Sequence, residues 1–100
     1  MKKEKITKNN VLKKIGENKK ELKINGVKKI GVFGSILKGN QTKKSDIDIL
    51  IDFRNPSFDN YAEVIMLLER LFKRKIDLIT ESSLRPEMVY IKKEAEYVKL

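Results

Sequence analysis

The stretch that most restricts this chain's fold runs from Asp46 to Phe53, where every second residue is a large apolar one. Ile47, Ile49, Ile51 and Phe53 take one side, while Asp46, Asp48, Leu50 and Asp52 take the other. Side chains of an extended strand point alternately to opposite faces, so this period of two predicts a strand with one apolar face and one face that begins with acid. Two carboxylates at that spacing have Cα atoms about 6.5–7 Å apart, close enough to share a divalent ion and repulsive without one.

A short loop upstream stands Gly34-Ser35. Gly34 permits close backbone approach, and Ser35 sets a hydroxyl and a backbone N–H at the opening of a helical turn, where phosphate binds well. Taken singly, Asp-x-Asp is more often a loop cap or exposed strand edge, and Gly-Ser is ordinary turn chemistry. In the order Gly34, Ser35, Gly39, Ser45, Asp46, Asp48 they point instead to metal-assisted chemistry on a nucleotide. Lys38, with Lys43 or Lys44, either adds charge against a triphosphate or is solvated loop lysine. Asp77 opens a further apolar run, Ile76 to Thr80, and completes a three-carboxylate cluster if that strand pairs beside the first. Asp52 shares the Asp48 face but lies roughly 13 Å along the strand, too far for a common centre.

The chain has no His and no Cys. That excludes disulfides, thiolate or imidazole zinc sites, and nucleophilic catalysis through a His base or a Cys. Any metal is therefore held by oxygen, which suits Mg or Mn. The net charge of +9 is concentrated at one end: residues 1–30 carry eleven Lys against three Glu. Such a segment is either a solvated lysine-rich helix, the reading we favour, or a surface attracting nucleic acid, triphosphate or an acidic partner. Base readout leans on Arg, and only Arg54, Arg70, Arg74 and Arg85 are present, so nucleic acid is not the favoured partner. No signal-peptide core precedes residue 10, and the longest aliphatic run, Val64 to Leu68, is too short to span a bilayer; a cytoplasmic protein without a membrane partner is expected.

The remaining periodicities place the other elements. Val11, Leu12, Ile15 and Leu22 share one side of a first helix, capped by Asn9 or Asn10 and stopped at Asn25-Gly26. Val27 to Phe33 is a first strand running into Gly34-Ser35, followed by a helical turn over Ser35 to Lys38 that Gly39 ends. Tyr61, Val64, Ile65, Leu68, Leu71 and Phe72 form the stripe of a long helix capped by Ser57 or Asp59, laid over the apolar face of the Asp46–Phe53 strand. Beyond the Ile76–Thr80 strand, Ser82 or Ser83 caps a last helix with Pro86 in its first turn and Met88, Val89 and Ile91 packing; Tyr97-Val98 ends extended. One domain over 1–100 is expected, of α/β or α+β class: a small sheet with helices on at least one face.

The pattern Gly34-Ser35-x3-Gly39-x5-Ser45-Asp46-x-Asp48, with Asp77 in an Ile-Asp-Leu-Ile strand, resembles the minimal nucleotidyltransferases of the DNA polymerase β superfamily. Within that group it is most similar to MntA-type antitoxins, encoded beside a HEPN-domain RNase toxin and able to transfer AMP from ATP to a toxin tyrosine. The resemblance implies a polymerase β-like palm, ATP as donor and two Mg2+ ions held by Asp46, Asp48 and Asp77. Gly34 and Ser35 would then hold the nucleotide phosphates, with Lys38, Gly39 and Ser45 beside them, and Asp77 would help to activate the acceptor hydroxyl. One departure is Lys38, where relatives often carry Arg; charge is kept but planar bidentate contact is lost. Two other outcomes stay open: nucleotidyl transfer to RNA or a small-molecule hydroxyl, and a non-catalytic module that neutralises a toxin by contact.

Overall fold

A computed structural model describes residues 6–39 and 46–100. Helices α1 (Lys8–Glu17) and α2 (Lys19–Ile24) lead into strand β1 (Val27–Phe33) and the single turn α3 (Ser35–Lys38). Strand β2 (Ile47–Phe53), helix α4 (Phe58–Phe72) and strand β3 (Ile76–Thr80) follow, then two 3-10 turns, a short helix α5 (Tyr90–Glu94) and strand β4 (Glu96–Val98). The four strands form one mixed sheet in the order β3-β2-β1-β4. Strand β1 is antiparallel to β2 and to β4, whereas β2 and β3 run parallel. Parallel neighbours need a crossover, and α4 supplies it. This is the expected α+β class.

The apolar face predicted for β2 is the core. Ile47, Ile49 and Ile51 are fully buried and pack with Ile30 and Val32 of β1, Val11 and Ile15 of α1, Leu22 of α2, and Val64, Leu68 and Phe72 of α4. Each such side chain contributes roughly 1.5–3 kcal/mol by leaving water. All three long or medium helices therefore cover one side of the sheet, and the acids of β2 face the other. Leu50, on the acid side, is buried as well and lies outside this main cluster, as does Ile91 of α5. The segment after β3 folds back over that second face, while its lower corner, where Asp48 and Asp77 stand, stays half-open.

Helix starts and stops follow local chemistry. Ser57 caps α4 by accepting a 3.1 Å hydrogen bond from the Asn60 N–H, as one of the two expected caps. Four expectations need correction. The first helix is capped by Thr7, whose hydroxyl accepts from the Asn10 N–H, and it is two helices rather than one. Asn18 breaks it: its side-chain amide donates to the Lys14 carbonyl at 2.8 Å, competing with the helical ladder, and its backbone leaves the helical region. The single last helix is likewise replaced by 3-10 turns at Glu81–Ser83 and Pro86–Met88 before α5. Proline disfavours helical geometry in the residue before it, and Leu84 and Arg85 are extended accordingly. Val89, expected to pack, is exposed.

The outer edge of β3 is blunted. Because the Ile47 N–H donates to the Lys75 carbonyl, Ile76, Leu78 and Thr80 turn their peptide groups away from β2. The Tyr61 hydroxyl donates to the Leu78 carbonyl at 2.6 Å and the Ser83 hydroxyl to the Thr80 carbonyl at 2.8 Å. Side chains of the same fold thus occupy acceptors that another strand would need.

Candidate active site

Register brings the acids together. Asp48 of β2 stands opposite Asp77 of β3 on one flank and opposite Phe33 of β1 on the other. Asp77 is exposed, and Asp46, immediately before β2, is half-buried like Asp48. The condition set by the sequence, that the third acid's strand should pair beside the first, is met with no offset. Asp48 and Asp77 are in side-chain hydrogen-bond contact, and Asp46 is near enough for its charge to be felt.

Burial is the largest influence on Asp48 and the charge of Asp77 the next; both raise its carboxyl above 3.8, as does Asp46 more weakly. A backbone hydrogen bond from the Ser35 N–H pulls the other way. Two carboxylates held this close need something positive between them, a proton or a cation. Among the described residues, however, the three acids do not converge on one point as a finished ligand set. The donor set is all oxygen, the chemistry that suits Mg. A converged pair with a third carboxylate alongside fits such an ion.

Gly34 is fixed by two independent constraints. Its backbone sits at φ 75°, ψ −144°, a region essentially reserved for glycine. A β-carbon built there would also collide with the Asp48 carboxylate. The turn has to pass flush against the acid so that the next N–H, that of Ser35, can donate to it. The N–H expected to hold a phosphate is therefore engaged by Asp48 instead. Lys38 and Gly39 are exposed at the end of α3, where Gly39 is left-handed at φ 71°. Ser45, with Lys43 and Lys44, lies outside the described residues. Asp52 stands apart as expected, paired across with Lys29 at the far end of the strand.

Sequence reasoning missed one part of this face. Glu81, just after β3, accepts a 2.7 Å hydrogen bond from the Tyr97 hydroxyl and lies 3.5 Å from the Lys29 ammonium and 3.9 Å from that of Lys92. The Lys29 ammonium is 4.7 Å from the centre of the Tyr97 ring. Burial, and then Glu81, push the Tyr97 hydroxyl well above its usual titration range. Tyr97 lies across Gly31, where a β-carbon would be 2.6 Å from the Glu96 carbonyl oxygen and 3.0 Å from the tyrosine ring. These groups tie the C-terminal segment onto the acid-bearing face, as its inner wall. A glycine at the middle of a strand is the only local signal that could have announced them.

Comparison with known proteins bears on this arrangement. A model of the nucleotidyltransferase domain matches residues 10–99. The protein adenylyltransferase MntA of Thermococcus cleftensis is 44% identical over 70 residues, covering 68% of this chain and 71% of that protein. A solved structure described as a minimal nucleotidyltransferase superposes with a TM-score of 0.80 at 22% identity, over 94% of this chain and 98% of that one. A toxin–antitoxin structure with AMP-PNP gives 0.65 at 21% identity, over 92% of this chain and 72% of that one. These two structural likenesses establish the shared fold.

Proposed function

Since the chain belongs to the nucleotidyltransferase-domain family, we propose that it transfers AMP from ATP to a tyrosine hydroxyl of a partner HEPN-family RNase toxin, and so acts as an antitoxin. The observation that carries the reading is the register of Asp48 on Asp77, with Gly34-Ser35 pressed against them. The 44% identity to an MntA adenylyltransferase supports AMP as the transferred group. Likeness to a toxin–antitoxin structure with AMP-PNP supports a toxin partner and a nucleoside triphosphate donor.

Each residue has a task. Asp46, Asp48 and Asp77 would hold Mg2+, two ions in the full reading, which when bound supplies positive charge to the triphosphate and the departing pyrophosphate. Ser35 presents its hydroxyl to the phosphates, with Gly34, Lys38 and Gly39 on the same side, and Ser45 is assigned to the nucleotide by the family pattern alone. Asp48 is held in place by the Ser35 N–H. Asp77, the most exposed acid, accepts the proton of the acceptor hydroxyl as its oxygen bonds to the α-phosphorus and the bond to the β-phosphate oxygen breaks. Pyrophosphate leaves, and the partner carries AMP.

The test combines the chain, ATP, Mg2+ and the purified toxin encoded beside it, followed by mass analysis of toxin peptides. An AMP adduct on tyrosine is expected with the native chain and absent with Asp46→Ala/Asp48→Ala. No adduct, or one that survives the double substitution, would overturn the proposal.

A further inference from the structure

Helix α4 carries a second stripe, on the side away from the core, that the transfer reaction does not use. Asp59, Glu63, Met66 and Arg70 follow one another at intervals of four, three and four, which sets them along a single helix face, and Lys73, the left-handed C-cap, stands three residues further on at its end. All five are exposed, and Met66 is a large apolar side chain left 48% open to water. Glu63, Met66, Glu69 and Arg70 border a shallow, open depression on this face. The order of charges is acid, acid, methionine, base, base. Among the described residues none of the four charged members takes part in an ion pair within the chain.

That order is its own complement when the helix is reversed. If two copies of α4 pack antiparallel with a two-fold axis at Met66, Met66 meets Met66, Glu63 meets Arg70, and Asp59 meets Lys73, each contact occurring twice. A two-fold interface uses one patch on both subunits and so requires this kind of self-complementarity. Antiparallel helices also set opposite ends of their dipoles side by side. Glu69 lies on the flank of the stripe, outside the paired positions. Phe58, 82% exposed at the head of α4, adds apolar surface at each end of the pair.

We propose that the chain self-associates through the outer face of α4, the occupant being a second copy in antiparallel register about Met66. The contact is about 22 Å long, the length of the 15-residue helix, and so small by the standard of stable dimers. It forms reversibly, by mass action. Because α4 covers the sheet face opposite the acids, both acid clusters of the dimer remain open on its outer sides. The inference is independent of which acceptor the site serves.

Sedimentation velocity of the full chain over a dilution series tests it through a charge exchange. The native chain is expected to shift from monomer to dimer as concentration rises. Glu63→Arg alone sets base against base in both symmetry-related pairs, and Arg70→Glu alone sets acid against acid; each is expected to weaken dimerisation by about tenfold or more. An equimolar mixture of these two variants restores both pairs, so a heterodimer is expected where neither variant dimerises alone. Both positions are exposed, and circular dichroism confirms that each variant is folded. A native chain that stays monomeric throughout, a dimer indifferent to either substitution, or a mixture that fails to associate would overturn the proposal.

Discussion

Replacing Gly34 by Ala tests whether the turn and Asp48 form one device. At φ 75°, ψ −144°, an alanine is strained by about 1–3 kcal/mol. Its methyl also collides with the Asp48 carboxylate, which must move off the Ser35 N–H. A hydrogen bond to a charged group is worth about 1.5–3 kcal/mol when buried, and nearer 1 kcal/mol for a half-exposed carboxylate screened by water. The expected loss is then about 2–4 kcal/mol, or a Tm lowered by roughly 10–25 °C for a domain of this size. Gly39→Ala is the matched control. Its φ of 71° is also left-handed, but nothing lies within 4 Å of the added carbon, so only the backbone strain of about 1–2 kcal/mol applies. Urea unfolding of both variants at neutral pH gives the comparison, and AMP transfer is measured beside it. Gly34→Ala should be the less stable by about 1 kcal/mol or more and inactive, while Gly39→Ala keeps its Asp48 geometry. Equal losses, or full activity in Gly34→Ala, would refute the coupling.

Three further outcomes follow from the packing and charge. Burial and Asp77 raise the Asp48 carboxyl above 3.8, so the native state holds that proton more tightly than the unfolded chain, and the stabilising protonated form, complete below that value, is lost as pH rises through the native titration. Asp48→Asn is therefore expected to be more stable than the native chain near neutral pH and to converge with it in acid, as read from unfolding free energies across that range; identical profiles would contradict this. Glu81→Gln removes the charge beside the Tyr97 hydroxyl, and tyrosinate absorbance should show that group titrating closer to 10.0 than in the native chain. Leu68, fully buried in the core, should lose about 2–5 kcal/mol on substitution by Ala, measured by denaturant unfolding, with the acid cluster left intact.

How far the molecule could be read in advance depended on whether the deciding interaction was local. The alternation of Ile47, Ile49, Ile51 and Phe53 needed only the geometry of a strand, and Ser57 with the Val64/Leu68/Phe72 stripe needed only that of a helix. Those elements stand where expected. The approach of Asp77 to Asp48 was legible as a condition, since an acid near the start of a strand means little until that strand finds its neighbour. The break at Asn18 was missed because Leu22 continues the apolar period across it, and the hydrogen bond of the Asn18 amide leaves no trace in periodicity. Pro86 was read as a helix start, although its effect on Arg85 divides the segment. The Glu81, Tyr97 and Lys29 cluster was out of reach: its members come from three places in the chain, and only the sheet order unites them. The engagement of the Ser35 N–H by Asp48 is of the same kind, a contact between the α3 turn and β2 rather than between neighbouring residues.

The central claim is that Asp46, Asp48 and Asp77 form a centre for nucleotidyl transfer. ATP labelled on its α-phosphate, and separately on its γ-phosphate, can be incubated with the chain, Mg2+ and the partner toxin, with release of pyrophosphate followed in parallel. The account predicts transfer of the α label alone, one pyrophosphate per transfer, and loss of both signals in Asp48→Asn despite its greater stability. Transfer of the γ label, or undiminished α transfer by Asp48→Asn, would contradict it.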